Sequence, residues 1–189
     1  MKATRTTAIA TAILLASGIS LNAAAEERSF TFGVHDARTN ISFVGEADIE
    51  TIHGFTNKID VKTLDTGIAL RDEHLQGEMW LDAAKHPNIE LELTKVTARS
   101  DGKIWDYEGT LSMKGTSKKI SGEARIKFVD EDKAKKFQLG KGEWVNVKAS
   151  FDVKLSDFGV EIPDGVGSKV SDVWEIQVDI WGTTSPDQS

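Results

Sequence analysis

The residues best suited to chemistry crowd into one stretch, 70–87, which reads LRDEHLQGEMWLDAAKHP. Arg71, Asp72, Glu73, His74, Asp82 and His86 are the residue types of an acid–base or metal site. Their spacing argues against both. A zinc-binding helix sets two histidines four residues apart, whereas His74 and His86 are 12 apart with Gly77 between them. Asp72 and Glu73 are neighbours, so on a helix they point about 100° apart and cannot act together on one atom. The chain has no cysteine, no G-x-S-x-G nucleophile turn, no P-loop and no G-x-G-x-x-G. No catalytic residue, metal site or cofactor is therefore expected. The expected role of the cluster is hydrogen bonding that anchors two short helical turns. Leu, Glu, Ala and Lys favour helix here. Gly77 would stop the first turn in a left-handed cap conformation, Asp82 would cap a second turn, and Pro87 would end it. Leu70, Leu75, Trp80 and Leu81 form the expected apolar underside.

The elements that must position this stretch read as β-strands. Phe30, Phe32 and Val34 alternate with polar residues over 29–34, as do Ile41 and Phe43 over 39–47, and a third strand is expected over 52–64. Beyond Pro87 the alternation is cleaner. Ile89, Leu91 and Leu93 are followed by an Asp101-Gly102 hairpin signal. Trp105, Tyr107, Leu111 and Met113 share a face, as do Ile120, Ala124, Ile126 and Phe128. Residues 130–142 read as a long polar loop. Val145, Val147, Ala149, Phe151, Val153 and Leu155 form the longest apolar series, and Trp174, Ile176, Val178 and Ile180 the last. About eight strands with one dry face each cannot be buried by a single flat sheet. An all-β, antiparallel, up-and-down barrel is the expected fold, with one or two short helices inserted at about 70–86.

At the N-terminus, Lys2 and Arg5 precede an apolar run and Ala23-Ala24-Ala25, the order of a secretory signal peptide. Cleavage is expected after Ala25. Losing Lys2 and Arg5 would take the formal net charge from -7 to -9. Such an acidic chain is a poor nucleic-acid binder, and the run is too short and too interrupted for a transmembrane anchor. The expected organisation is a cleaved leader at 1–25, one domain at 26–182 and a flexible tail at 183–189, in the bacterial periplasm.

Three stretches resemble the YceI-like family of lipocalin-like, polyisoprenoid-binding periplasmic proteins. The first is Thr66-Gly67-Ile68 with Arg71-Asp72-Glu73-His74-Leu75, Trp80-Leu81-Asp82-Ala83 and Lys85-His86-Pro87, similar to the family's RDEHL segment and its K-[YH]-P end. The second is Gly109-Thr110-Leu111 with Lys114-Gly115-Thr116-Ser117-Lys118, similar to its G-x-L-T-x-x-G-x-[ST]-[KR] hairpin. The third is Leu155-Ser156-Asp157-Phe158-Gly159-Val160, similar to its S-D-F-G segment. Two departures stand out. The family's His near the first turn has no counterpart in Asp36-Ala37-Arg38-Thr39. Only 11 residues separate Gly54 from Thr66, which implies a shortened hairpin at one barrel seam.

On the residues alone, the dry faces read as a packed core. The resemblance instead implies a lipocalin-like barrel around an elongated apolar tunnel, holding an isoprenoid lipid such as a polyprenyl phosphate or an isoprenoid quinone. The tunnel residues expected on that basis are Phe32, Phe43, Leu75, Trp80, Trp105, Tyr107, Leu111, Ile126, Val147, Phe151, Trp174 and Ile176. Arg38, Arg71, His74 and Lys114 are the expected headgroup contacts. The expected function is sequestering or carrying that lipid, as a monomer or a homodimer. The rival is a stress-related periplasmic interaction protein with a packed barrel and no fixed ligand. An isoprenoid- or quinone-modifying enzyme would have to use His53 or His74.

Overall fold

The computed structural model describes residues 19–23, 26–32, 38–48, 51–56, 60–165, 167 and 169–186, with backbone alone for 19–29 and 53–56. Nine strands run in chain order: β1 Ile19–Ala23, β2 Glu26–Phe32, β3 Thr39–Glu46, β4 Thr51–Thr56, β5 Glu90–Ala98, β6 Ile104–Met113, β7 Thr116–Val129, β8 Trp144–Lys154 and β9 Val173–Thr183. Helix α1, Ala69–Gln76, precedes β5, and helix α2, Glu131–Lys136, lies between β7 and β8. The strands described pair antiparallel throughout, and β5 to β9 follow one another as neighbours. The free edge of β9 is shared: Trp174 to Ile180 pair with β3, and Gly182 and Thr183 pair with β2. Among the described residues, no ladder joins β4 to β5, so the barrel-like sheet is open along that seam. The expected all-β antiparallel fold is present, with the seam unpaired where the shortened hairpin was read.

Alternation dictates the register. Val147 stands opposite Ile180, Ala149 opposite Val178 and Phe151 opposite Ile176, so the dry faces of β8 and β9 coincide. The interior forms two buried clusters. One gathers Phe43, Leu75, Leu81, Leu111, Met113, Leu155 and Trp174 beneath the 60–87 stretch. The other gathers Phe30, Phe32, Tyr107, Ile126, Val145 and Ile180 at the opposite end.

Several expectations need correcting. The strand expected over 52–64 ends at Thr56, and from Asp60 the chain turns into the 3-10 turn Val61–Thr63. There Asp60 Oδ1 accepts from the Lys62 amide at 2.9 Å, a local bond that competes with any ladder. The loop expected over 130–142 contains α2. Asp130 caps it by accepting from the Lys133 amide at 2.8 Å, Glu131 pairs with Lys135, and Ala134 is fully buried beside Trp144. Asn146 is buried despite its outward register, and its side-chain amide donates to Asp179 at 2.7 Å and to the Ile180 carbonyl at 3.2 Å. Thr183, expected in the tail, is buried at the end of β9 with its hydroxyl donating to the Lys141 carbonyl. Val34 and the expected cleavage point after Ala25 lie outside the described residues, and residues 19–23 pair with β2 as a strand.

Two checks on this framework follow. The Phe43 and Trp174 rings stack at 4.6 Å, and a Cβ on Gly45 would come 2.5 Å from Trp174 Nε1. Gly45→Ala should therefore cost about 1–3 kcal/mol through displacement of that ring, read as a lower urea midpoint. The ion pair with Lys133, and then its amide, hold the Asp130 carboxyl below the ordinary carboxylate range. Its contribution is then present above the unfolded value and lost as pH falls through the lowered one. The urea-midpoint gap between wild type and Asp130→Ala should shrink from pH 7 to pH 3; an equal gap at both would contradict the assignment.

Candidate functional site

Beneath the 60–87 stretch lies a cavity of roughly 200 Å³ that runs through both interior clusters. Its walls are inward side chains of consecutive strands: Ile41 and Phe43 from β3, Leu91, Leu93 and Val96 from β5, Tyr107 and Leu111 from β6, Ala124 and Ile126 from β7, Val147 to Val153 from β8, and Trp174 to Ile180 from β9. Val61, Leu64 and Leu81 close it from the 60–87 side. Besides the tyrosine hydroxyl and the indole, its polar members among the described residues are Ser42 and Asp60, and no described Lys, Arg or His lines it.

A bulge makes this lining possible. Between Leu93 and Lys95 the β5–β6 register slips, and the Thr94 hydroxyl donates to the Glu108 carbonyl at 3.2 Å. The slip lets both Leu93 and Val96 face inward, although they are three positions apart. Gly109 allows the close approach, since a Cβ there would sit 2.5 Å from the Glu92 carbonyl oxygen.

The 60–87 stretch is a closed loop clasped over the cavity. The Val61 amide donates to the Pro87 carbonyl at 2.9 Å, tying its two ends together. Inside it, the Thr66 amide and hydroxyl both donate to Asp72 Oδ1, at 2.9 and 2.5 Å. The carboxyl most suggestive of acid–base work is thus spent on structure. Gly77 is extended, with φ −69°, and the left-handed residue is Asp82, at φ 48°. This corrects the expected glycine cap: the reversal comes two residues after Trp80, where the Leu81, Asp82 and Ala83 amides all bond back to 75–77. Leu70, expected underneath, is 62% exposed, as Met79 is at 63%.

The β6–β7 turn fastens this clasp. Lys114 and Gly115 both have positive φ, as a two-residue hairpin turn demands. The Lys114 ammonium donates to the Met79 carbonyl and to the Gly159 carbonyl, each at 3.0 Å. Gly115 abuts the His86 ring, which a Cβ would approach to 2.8 Å. One turn thereby joins the clasp to the 3-10 turn Leu155–Phe158 and its following Gly159.

Of the expected tunnel residues, Phe43, Tyr107, Leu111, Ile126, Val147, Phe151, Trp174 and Ile176 line the cavity. Phe32, Leu75, Trp80 and Trp105 do not: Phe32 lies against Gly182, Leu75 and Trp80 pack into the core beneath the clasp, and Trp105 meets Phe128 edge-on at 6.3 Å. None of the expected headgroup contacts lines it either. Arg38 lies over the Trp144 ring at 5.1 Å, Arg71 and His74 stand on α1, and Lys114 is committed to its two carbonyls. The side chain of His53 is outside the described residues. Sequence reasoning missed Val96, whose off-parity position was a legible sign of the bulge, and Val61 and Leu64, which enter from a 3-10 turn. Burial pushes the Tyr107 phenol above its ordinary pKa, so it stays protonated at neutral pH.

Comparison with known proteins agrees with this architecture. The family model of the YceI-like domain matches residues 18–181. Similar curated proteins include a UPF0312 protein of Azotobacter vinelandii, 33% identical over 122 residues that cover 61% of this chain and 58% of that one. A UPF0312 protein of Pectobacterium carotovorum is 29% identical over 117 residues, 59% of this chain and 54% of that one. The chain thus spans little more than half the length of these relatives. Among solved structures, Burkholderia cenocepacia BcnA aligns with a TM-score of 0.64 at 18% identity, covering 79% of this chain and 99% of that one. A polyisoprenoid binding domain from Saccharophagus degradans, implicated in plant cell wall breakdown, aligns with a TM-score of 0.54 at 12% identity, covering 77% and 93%. At these identities the structures attest the fold.

Replacing Lys114 with Met keeps the aliphatic stem and removes the ammonium. Two charge-assisted bonds of about 1–2 kcal/mol together would be lost. Amide exchange at Leu81, Asp82 and Ala83 should accelerate about tenfold, while that of β8 and β9 stays within twofold. Uniform acceleration would mean that the turn supports the whole fold rather than the clasp.

Proposed function

The chain belongs to the YceI-like domain family, and from that footing we propose that it binds an isoprenoid lipid inside its barrel and carries or sequesters it in the periplasm. The observation that supports this most directly is the cavity: an interior space walled by apolar side chains from six strands and closed by a clasp. Such a site recognises area rather than pattern. Burying a methylene contributes about 0.8 kcal/mol, so a five-carbon isoprene unit contributes ~3–4 kcal/mol before ordering costs. A few units suffice for stable retention without directional contacts.

The polyisoprenoid-binding neighbour from Saccharophagus degradans supports the chemical class of the cargo. The leader-like order of residues 1–25 supports the compartment. A binding role rather than catalysis is supported by the clasp, where Asp72, Asp82 and the Lys114 ammonium are spent on hydrogen bonds and ion pairs. The cavity favours this reading over a barrel packed solid.

Organic extracts of natively purified protein, analysed by mass spectrometry, should contain an isoprenoid lipid at near-stoichiometric yield. Ala149→Phe, which projects a ring from β8 into the cavity, should reduce that yield at least tenfold without unfolding the protein. Lipid-free wild type that also fails to take up added prenyl compounds would sink the carrier reading.

A further inference from the structure

The residues that wall the cavity are stacked in cross-strand rows, and the rows come to an end. On β8 every second residue from Val147 to Val153 lines it, and on β9 the residues opposite them, from Ile180 to Trp174, do the same. Val147 and Val153 are six positions apart, which is about 20 Å along a strand. Strands in a barrel tilt by about 35–45°, so roughly 15 Å of that lies along the axis. A space of roughly 200 Å³ drawn out to this length is narrow. It falls below the roughly 300–1,000 Å³ of pockets that enclose a compact, drug-sized ligand. One hydrocarbon chain fits such a space; paired acyl chains or a fused ring system do not.

The last lining row at the end away from the clasp is Ile126, Val147 and Ile180, paired across β7, β8 and β9. Two positions further along each strand stand Phe128, Val145 and Gly182, again in register, and β2 sets Phe32 opposite Gly182. None of these four lines the cavity. Phe32 and Val145 are buried, and both pack with Phe128 in one cluster that includes the last lining row. The Phe32 ring lies on Gly182, where a Cβ would come 3.0 Å from two of its carbons, so a glycine on β9 makes room for the ring. Phe128 in turn lies 6.0 Å from Phe30. Among the described residues, the cavity thus ends on a floor of phenylalanine at one end and under the clasp at the other.

An isoprene unit adds four chain bonds of about 1.5 Å, so it extends a chain by about 5 Å. We propose that the cavity is a length gauge: it takes a single prenyl chain, tail first, to a depth of about three isoprene units, and Phe32 and Phe128 form the floor that sets this limit. The hydrocarbon end rests on that floor, because a polar headgroup pressed against phenylalanine rings would be desolvated at a large cost. The headgroup lies toward the clasp, and a longer polyprenyl chain leaves its remaining units outside. This rests on the carrier reading above and deepens it, by stating how much of the cargo the barrel covers.

The test uses the full chain freed of co-purified lipid, with geraniol, farnesol, geranylgeraniol and geranylfarnesol as probes of two to five isoprene units. In wild type the third unit should tighten binding at least about tenfold, through burial of five more carbons. The fourth and fifth should each change it less than about threefold. Phe32→Ala opens the floor, and in it the fourth unit should tighten binding at least about tenfold. Val147→Phe raises the floor by one row, and in it the third unit should gain less than about threefold while geraniol binds as in wild type. The two variants move the limit in opposite directions, which a general loss of stability does not do, and each decides alone if the other does not fold. Steady gains through the fifth unit in wild type, or a limit that neither variant moves, would overturn the proposal. Failure of every probe to bind wild type would instead reject the carrier reading on which the proposal stands.

Discussion

The structure depends on one constraint: the dry faces of its strands must all be buried by a sheet that, among the described residues, does not close. Each strand carries an apolar row every second residue, and each row needs a lid. Curvature around β9 supplies most of it, because that strand is paired along one edge to β8 and along the other to β3 and β2. The seam between β4 and β5 has no such solution among the described residues. The 60–87 clasp meets the need at one end, placing Val61, Leu64 and Leu81 against the sheet interior, while Phe30 and Phe32 fill the other. What remains between the two plugs is the cavity.

Among the described residues the clasp adds no strand to the sheet; it is closed by bonds within itself and fastened by bonds from segments distant in the chain. Its ends are joined by the bond from Val61 to Pro87, its first turn by Thr66 and Asp72, and its body by Lys114. Lys114 also reaches Gly159, so the three stretches that resemble the family motifs meet at a single ammonium. This gives those motifs a physical content. They are the parts of a fastening, and their charged residues are consumed by it.

Much of this was legible beforehand. Period-2 alternation placed the inward faces of β6 to β9, since a one-residue slip would have reversed them all. The 70–87 cluster read as structural anchoring, and there Asp72 accepts from the Thr66 amide and hydroxyl while Asp82 pairs with Lys85. Asp101-Gly102 marked its hairpin, where the Asp101 carboxylate accepts from the Lys103 and Ile104 amides. Helix α2 was missed although its signs were present: an Asp cap, acids in the first turn and lysines in the last. A short polar helix carries too little periodicity to stand out from a loop, and its single buried anchor, Ala134, gains meaning only against Trp144.

By itself, then, the sequence determined the strands, their dry faces and the family pattern, because those are properties of neighbouring residues. Tertiary structure decided where parity breaks, which charges are spent and which side chains fit where. Val96 turns inward only because β5 bulges against β6, Lys114 becomes a fastening only because residues 79 and 159 arrive beside it, and the Tyr107 phenol fits its place only because Gly122 stands opposite. Each depends on contacts between segments far apart in the chain, and no local pattern encodes them.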